Sequence, residues 1–237
     1  MTESQDARSE HDHLTEAREQ IVLAALPHVP FDGWTRETLN AAAADAGIDP
    51  GLTAQAFPRG GVDLAMGFHR LGDRWLAEDL DGIDLDAMRI RERITHCVRR
   101  RIELVAEHRE AVRRAAALFA LPMRAPDGAR AIWETADLIW TECGDTATDY
   151  NWYTKRMILS SVHSATVLFW LGDQDPRYQA TWDFLDRRIE NVMQFEKVKA
   201  NVQKNPLARL ALWGPSQMLK MVRAPGSGKT GNAGGDI

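Results

Sequence analysis

The feature that most constrains this chain is the spacing of its apolar residues. They recur three and four positions apart, in segments cut by proline and glycine, while strand-like alternation is scarce. In a chain rich in Ala, Leu and Arg that period builds amphipathic helices, so the fold class predicted is all-α. The first helix should run from about Thr15 to Leu26, presenting Ile21, Ala24 and Ala25 inward until Pro27 and Pro30 end it. Thr35 is placed to cap a second helix carrying Thr38, Leu39, Ala42 and Ala43, which Gly47 closes. Asp49 caps a third, with Pro50 at its first position, running to Phe57. Beyond Pro58, Gly60 and Gly61 a longer helix carries Leu64, Phe68, Leu71, Trp75 and Leu80. Further helices are expected at about 84–107, 109–120, 127–143, 149–172 and 176–203, and a separate one at 206–222. The expected organisation is a disordered tail over 1–15, a helix-turn-helix-like unit over 16–82, a helical body over 83–203, an amphipathic segment over 204–223 and a second disordered tail over 224–237.

A formal net charge of -5 argues against a chain that coats nucleic acid by bulk electrostatics. Cys97 and Cys143 are too few for a disulfide framework and lack metal-ligand spacing, which suits a reducing compartment. The polar start, "MTESQDARSEHDHLTEAR", carries more acid than base and reads neither as a secretory signal nor as an organellar transit peptide. No stretch reaches the ~18 uninterrupted apolar residues of a spanning helix. A cytosolic protein, peripheral to a membrane at most, is expected.

Residues 18–68 resemble the DNA-binding module of TetR-type regulators in helix order, in the Gly-Trp before the second helix, in the Ala-Gly turn and in the aromatic-Pro end of the third. Reading DNA requires cations on phosphates and polar side chains at base edges. The recognition-helix equivalent, "DPGLTAQAF", has neither Lys nor Arg, and between residues 35 and 57 Arg36 alone opposes Glu37, Asp45 and Asp49. The expectation is therefore a degenerate helix-turn-helix and no nucleic-acid partner.

Catalytic signatures fare no better. "PGSGKT" ends like a phosphate loop, but the first glycine of that motif falls on Arg223. Glu10 and His13 form an isolated Glu-x-x-His, whereas di-iron bundles need two. His28, His69, His96, His108 and His163 form no ligand triad, and no nucleophile elbow occurs. No metal, cofactor or enzymatic activity is expected.

The stretch "TDYNWYTKR" (148–156) concentrates aromatic rings and charges at a helix start, with Asp149 placed to cap it. Trp152, Arg156, Leu159, His163 and Trp170 share one helical stripe, and Tyr150, Met157, Ile158, Ser161, Ala165 and Leu168 share the neighbouring one. Arg156 beside Trp152 points to an exposed interface, because Trp, Tyr and Arg anchor such surfaces; packing inside the bundle is the alternative that spacing leaves open. Together "GDTATDYNWYTKR", "TWDFLDRRIENV" (181–192) and "LPHVPFDGWTRETL" (26–39) resemble the coenzyme Q biosynthesis protein nine family, a likeness running over about residues 16–222. The resemblance implies a TetR-like, non-catalytic accessory factor that binds prenylated quinone intermediates and serves the di-iron demethoxyubiquinone hydroxylase. It also implies that the hydroxylase docks on Asp149, Asn151, Trp152, Tyr153 and Arg156, with Tyr150 and Lys155 replacing the family's Phe and Arg. The missing mitochondrial presequence suggests a bacterial member, placed in the cytoplasm against the inner membrane.

A polyprenyl tail needs an apolar enclosure. Helices 127–143, 149–172 and 176–203 supply candidate linings in Ile139, Met157, Ile158, Leu168, Phe169, Phe184 and Met193, and each also fits an ordinary core. In "NPLARLALWGPSQMLKMVR", Leu207, Leu210, Ala211, Met218 and Met221 recur on one face. Trp213 supplies an interfacial ring, and Lys204, Arg209, Lys220 and Arg223 add positive charge. A membrane-surface helix kinked at Pro215 is expected there. A homodimer through the late helices is plausible, since TetR-like bodies commonly pair that way. A ligand-responsive transcription regulator is the rival reading, disfavoured by the third helix.

Overall fold

The computed structural model describes residues 2–204, and among them every regular element is helical. The order is α1 (Thr2–Ala25), α2 (Val29–Asp32), α3 (Arg36–Asp45), α4 (Pro50–Ala56), α5 (Gly61–Leu80), α6 (Ile90–Glu103), α7 (Arg109–Phe119), α8 (Ala125–Glu142), α9 (Tyr150–Gly172) and α10 (Gln179–Lys204). Short 3-10 turns occupy Leu85–Ala87 and Ala106–His108.

The caps read from the sequence close the helices they were expected to close. Thr35 Oγ1 accepts from the Thr38 amide at 3.1 Å, and Asp49 Oδ1 accepts from the Gly51 and Leu52 amides at α4. The aliphatic faces of α1, α3 and α5 meet in Ile21, Val22, Leu39, Ala42, Leu64 and Phe68. Trp34 joins this unit to the body. Its ring stacks on Phe68 at 5.3 Å and its Nε1–H donates to the Ala111 carbonyl of α7 at 3.0 Å. Gly61 opens α5 directly against this connection: a Cβ there would lie 2.1 Å from the Trp34 carbonyl oxygen. One contiguous core then runs from Ile21 to Ile189, with α5 contributing both to the helix-turn-helix unit and to the layer of α6, α8 and α9.

Three boundaries differ from the sequence reading. α1 begins at Thr2 rather than near Thr15, where a disordered tail was expected. Residues 2–14 lack an apolar period, yet residues 2–25 contain neither Pro nor Gly, so a helix anchored by Ala17, Ile21 and Ala25 propagates back at little cost. The helix expected over 84–107 is broken. Asp84 caps a 3-10 turn, and Arg93 gathers the carbonyls of Asp86 and Met88 at the break and that of Cys143 at the end of α8. α10 starts at Gln179 because Tyr178 adopts φ 53°, its ring edge-on to both Trp170 and Trp182. The expected helix 206–222, with Leu207, Leu210, Ala211, Trp213, Met218 and Met221, lies outside the described residues, as does the side chain of Met193.

Candidate functional site

Two features stand out: a half-exposed aromatic surface where α8 meets α9, and an apolar cavity enclosed by α5 to α9. The surface is built from the α8–α9 corner. Gly144, at φ +78°, ends α8, and Asp149 Oδ1 accepts from the Asn151 amide at 2.9 Å to start α9. Between them Asp145 turns inward, its side chain 1% exposed, to receive Lys155 Nζ at 2.6 Å and Arg156 Nη1 at 2.9 Å. Burial would raise the Asp145 pKa, but the hydrogen bonds from Lys155 and Arg156 outweigh it and hold the carboxyl below its usual range. Arg156 Nε also donates to Asp137 of α8, and its guanidinium lies 3.9 Å from the Trp152 ring centroid.

Arg156 is therefore not the exposed docking contact expected from its stripe. At 2% exposure it is a buried strut that pins Trp152 against α8. The surface itself consists of Trp152, Tyr153 edge-on to it at 4.7 Å, and Trp133 of α8 at 5.9 Å from Trp152 and 6.3 Å from Tyr153. All three rings are half-buried, and Asp149 and Asn151 are exposed at the edge. Trp133, Asp137 and Asp145 were missed in the sequence. Trp133 and Asp137 stand four apart on one helix, a visible signal, but nothing in the spacing says which helix they face.

The second feature corrects the expected lipid lining. The stripe Arg156, Leu159, His163, Trp170 faces inward, so the neighbouring one faces out: Met157 is 57% and Leu168 64% exposed. Phe169 is partly exposed and stacks on Phe184 of α10 at 4.6 Å. Ile139 is fully buried within the packed core. Ile158 lines a separate hollow of about 450 Å³ whose wall includes Arg91, Asp145 and Lys155. Of the proposed residues whose side chains are described, only Leu168 borders the apolar cavity between α5 and α9, and it does so at the rim.

That cavity, about 420 Å³, falls in the roughly 300–1,000 Å³ range of small-molecule sites. Its walls are small and aliphatic: Ala115 and Ala116 from α7, Ala131 and Ile132 from α8, and Val167 from α9. Ala120, Ala125, Ala129 and Leu168 form an exposed mouth, with Leu121 and the 77% exposed Met123 on the adjoining α7–α8 turn. The inner end is polar. Arg101 crosses from α6 to α5, where Gly72 leaves room for its guanidinium, and binds Asp73 at 2.7 Å and the His69 carbonyl at 2.9 Å. His69 Nε2 lies 2.9 Å from the Ala131 carbonyl, which can only accept, so this nitrogen carries the hydrogen. Thr135 Oγ1 sits 2.8 Å from the same nitrogen and donates to Asp73 at 2.8 Å. Burial would raise the Asp73 pKa, yet Arg101 keeps it below the usual carboxylate range. Burial, with Arg101 adding repulsion, lowers the pKa of His69 and that of His163 to about 3. Both rings are neutral near pH 7. Among the described residues no cluster of three His, Cys, Asp or Glu is placed to hold a metal ion.

Fold and site together define a TetR-like all-α protein with a hollow body. A TetR transcriptional regulator from Nitrosomonas europaea has the same fold, with a TM-score of 0.58 and 18% identity over 73% of this chain and 95% of that one. The chain is, more particularly, similar to the COQ9 proteins: the COQ9 family model matches residues 125–196, the span of α8, α9 and most of α10. The mitochondrial ubiquinone biosynthesis protein COQ9 of Drosophila melanogaster is 31% identical over 78% of this chain and 58% of its own length. Those of Rattus norvegicus and Homo sapiens are 29% identical over 91% of this chain and 72% and 71% of theirs. The chain thus spans little more than half of the fly relative. Among the described residues no helix is long and apolar enough to cross a membrane.

Proposed function

We propose that the protein acts in ubiquinone biosynthesis as a non-catalytic, lipid-binding accessory factor. It takes up a prenylated quinone intermediate and delivers it to a di-iron demethoxyubiquinone hydroxylase docked on the Trp133–Trp152–Tyr153 surface. The observation that carries the reading is the apolar cavity between α5 and α9, since a hollow of that lining has no role in a packed bundle. Moving apolar surface out of water yields about 2.5 kcal/mol for every ~100 Å² buried, enough to draw an isoprenoid chain through the mouth at Leu168.

The half-buried rings suit docking because they present large area with little side-chain entropy left to lose once Arg156 fixes Trp152. The proposed setting is the cytoplasmic membrane surface of a bacterium, with residues 204–223 as the membrane-contacting segment. Pairing of two copies through α9 and α10 belongs to the same proposal. Organic extraction and mass spectrometry of the purified protein test the carrier role, and repeated absence of any isoprenoid or quinone from material purified out of a ubiquinone-producing host would sink it. Trp152→Lys tests the docking surface separately. The variant should stay folded, at a melting temperature lowered by the lost packing on Arg156 and Trp133, and lose capture of the hydroxylase, and undiminished capture would reject the assignment.

A further inference from the structure

Two polar atoms on the inner stripe of α9 have no hydrogen-bond partner among the described residues, and both residues line the cavity: His163 Nδ1 and Trp170 Nε1. His163 is 4% exposed and Trp170 fully buried. Buried polar groups are nearly always satisfied, because an unmade bond costs about 1–3 kcal/mol, so a pair of orphans on two residues that line one hollow calls for an occupant. The other polar groups at this end are spent on one another. Arg101 is neutralised by Asp73, and His69 and Thr135 complete that network.

We propose that His163 and Trp170 form the polar site of the cavity and bind the oxygen of a neutral, otherwise apolar ligand such as an isoprenoid alcohol, phenol or quinone. This rests on the carrier reading above and adds to it the residues that hold the ligand's oxygen. The indole N–H can only donate, and an imidazole nitrogen donates or accepts according to tautomer, so carbonyl, hydroxyl and ether oxygens are all served. A carboxylate or phosphate finds no free cation in the cavity lining, since Arg101 already holds Asp73 and Arg109, behind the Trp170 ring, lies outside the lining and donates to the Trp170 and Asp173 carbonyls. A pure hydrocarbon leaves both nitrogens unpaired. The site therefore sorts ligands by one functional group while the alanine-rich walls accept the chain indifferently.

The test uses the full chain and three probes of one skeleton, farnesol, farnesene and farnesoic acid, with affinities measured calorimetrically at pH 7. Farnesol should bind roughly three- to tenfold more tightly than farnesene, the ratio a buried hydrogen bond supplies, and farnesoate most weakly. His163→Leu should bring the farnesol advantage to twofold or less with farnesene affinity unchanged, and His163→Gln should restore part of it. Trp170→Phe, which removes the N–H and keeps most of the ring, gives a second measure should His163→Leu fold poorly. Equal binding of all three probes by the unaltered chain would overturn the polar site while leaving the carrier role standing. An undiminished farnesol preference in both His163→Leu and Trp170→Phe, or tightest binding of farnesoate, would also overturn it. Failure to bind any probe would remove the carrier reading, and this inference with it.

Discussion

Acid should destabilise this protein before its carboxylates begin to titrate, and His163 should account for much of the effect. The ring titrates at 6.5 in the unfolded chain and at about 3 in the fold, chiefly because burial excludes the imidazolium and secondarily because Arg101 and His69 lie near. Between those values the unfolded state holds the extra proton, so stability rises with pH across the window and is lost as pH falls from about 6.5 toward 3. At pH 5, about 1.5 units below the unfolded value, the loss from this one ring is about 2 kcal/mol, at about 1.4 kcal/mol per unit. His163→Leu removes the titration and an unpaired nitrogen together, so at pH 7 it should be at least as stable as the original chain. Urea unfolding at pH 7, 6 and 5 reads the difference directly: the two stabilities should diverge by about 2 kcal/mol over that range, with the remaining slope due to His69. Parallel curves would refute the placement of a neutral, unpaired imidazole in the cavity wall.

Other outcomes follow from the packing. Arg156→Met leaves the buried Asp145 carboxylate with Lys155 as its remaining salt-bridge partner and should cost about 3 kcal/mol in urea unfolding while loosening Trp152; a cost below about 1 kcal/mol would contradict the strut role. Gly61→Ala drives a methyl to within 2.1 Å of the Trp34 carbonyl and should destabilise by about 1–3 kcal/mol, whereas Gly82→Ala, with nothing within 4 Å, should be near neutral in the same thermal melts. Duplex DNA should not be retarded by the protein in gels at moderate salt, because α4 carries no cation and Arg59 beside it is held by Asp63 and Asp127; specific retardation of any operator fragment would reverse that conclusion.

What could be read in the residues depended on whether the signal was local. Capping is decided within four residues, so Thr35, Asp49 and Asp149 announced α3, α4 and α9 correctly. The cavity was not legible in this way. Its walls come from α5, α6, α7, α8 and α9, and small residues such as Ala115, Ala131 and Gly128 carry no local signal of the space between helices. His163 looked like one scattered histidine among several, and only its neighbours reveal that its nitrogen lacks a partner.

The sequence by itself determined that the described residues are helical, the order and most limits of the helices, and an α4 without Lys or Arg, because helical period, caps and charge are properties of neighbours along the chain. Tertiary structure alone decided which stripe of α9 turns inward. Spacing yields two adjacent stripes of similar hydrophobicity, and the choice between them fell to partners on other helices: Asp137 and Asp145 draw Arg156 inward, and His163 and Trp170 follow it on the same face, leaving Met157 and Leu168 outside.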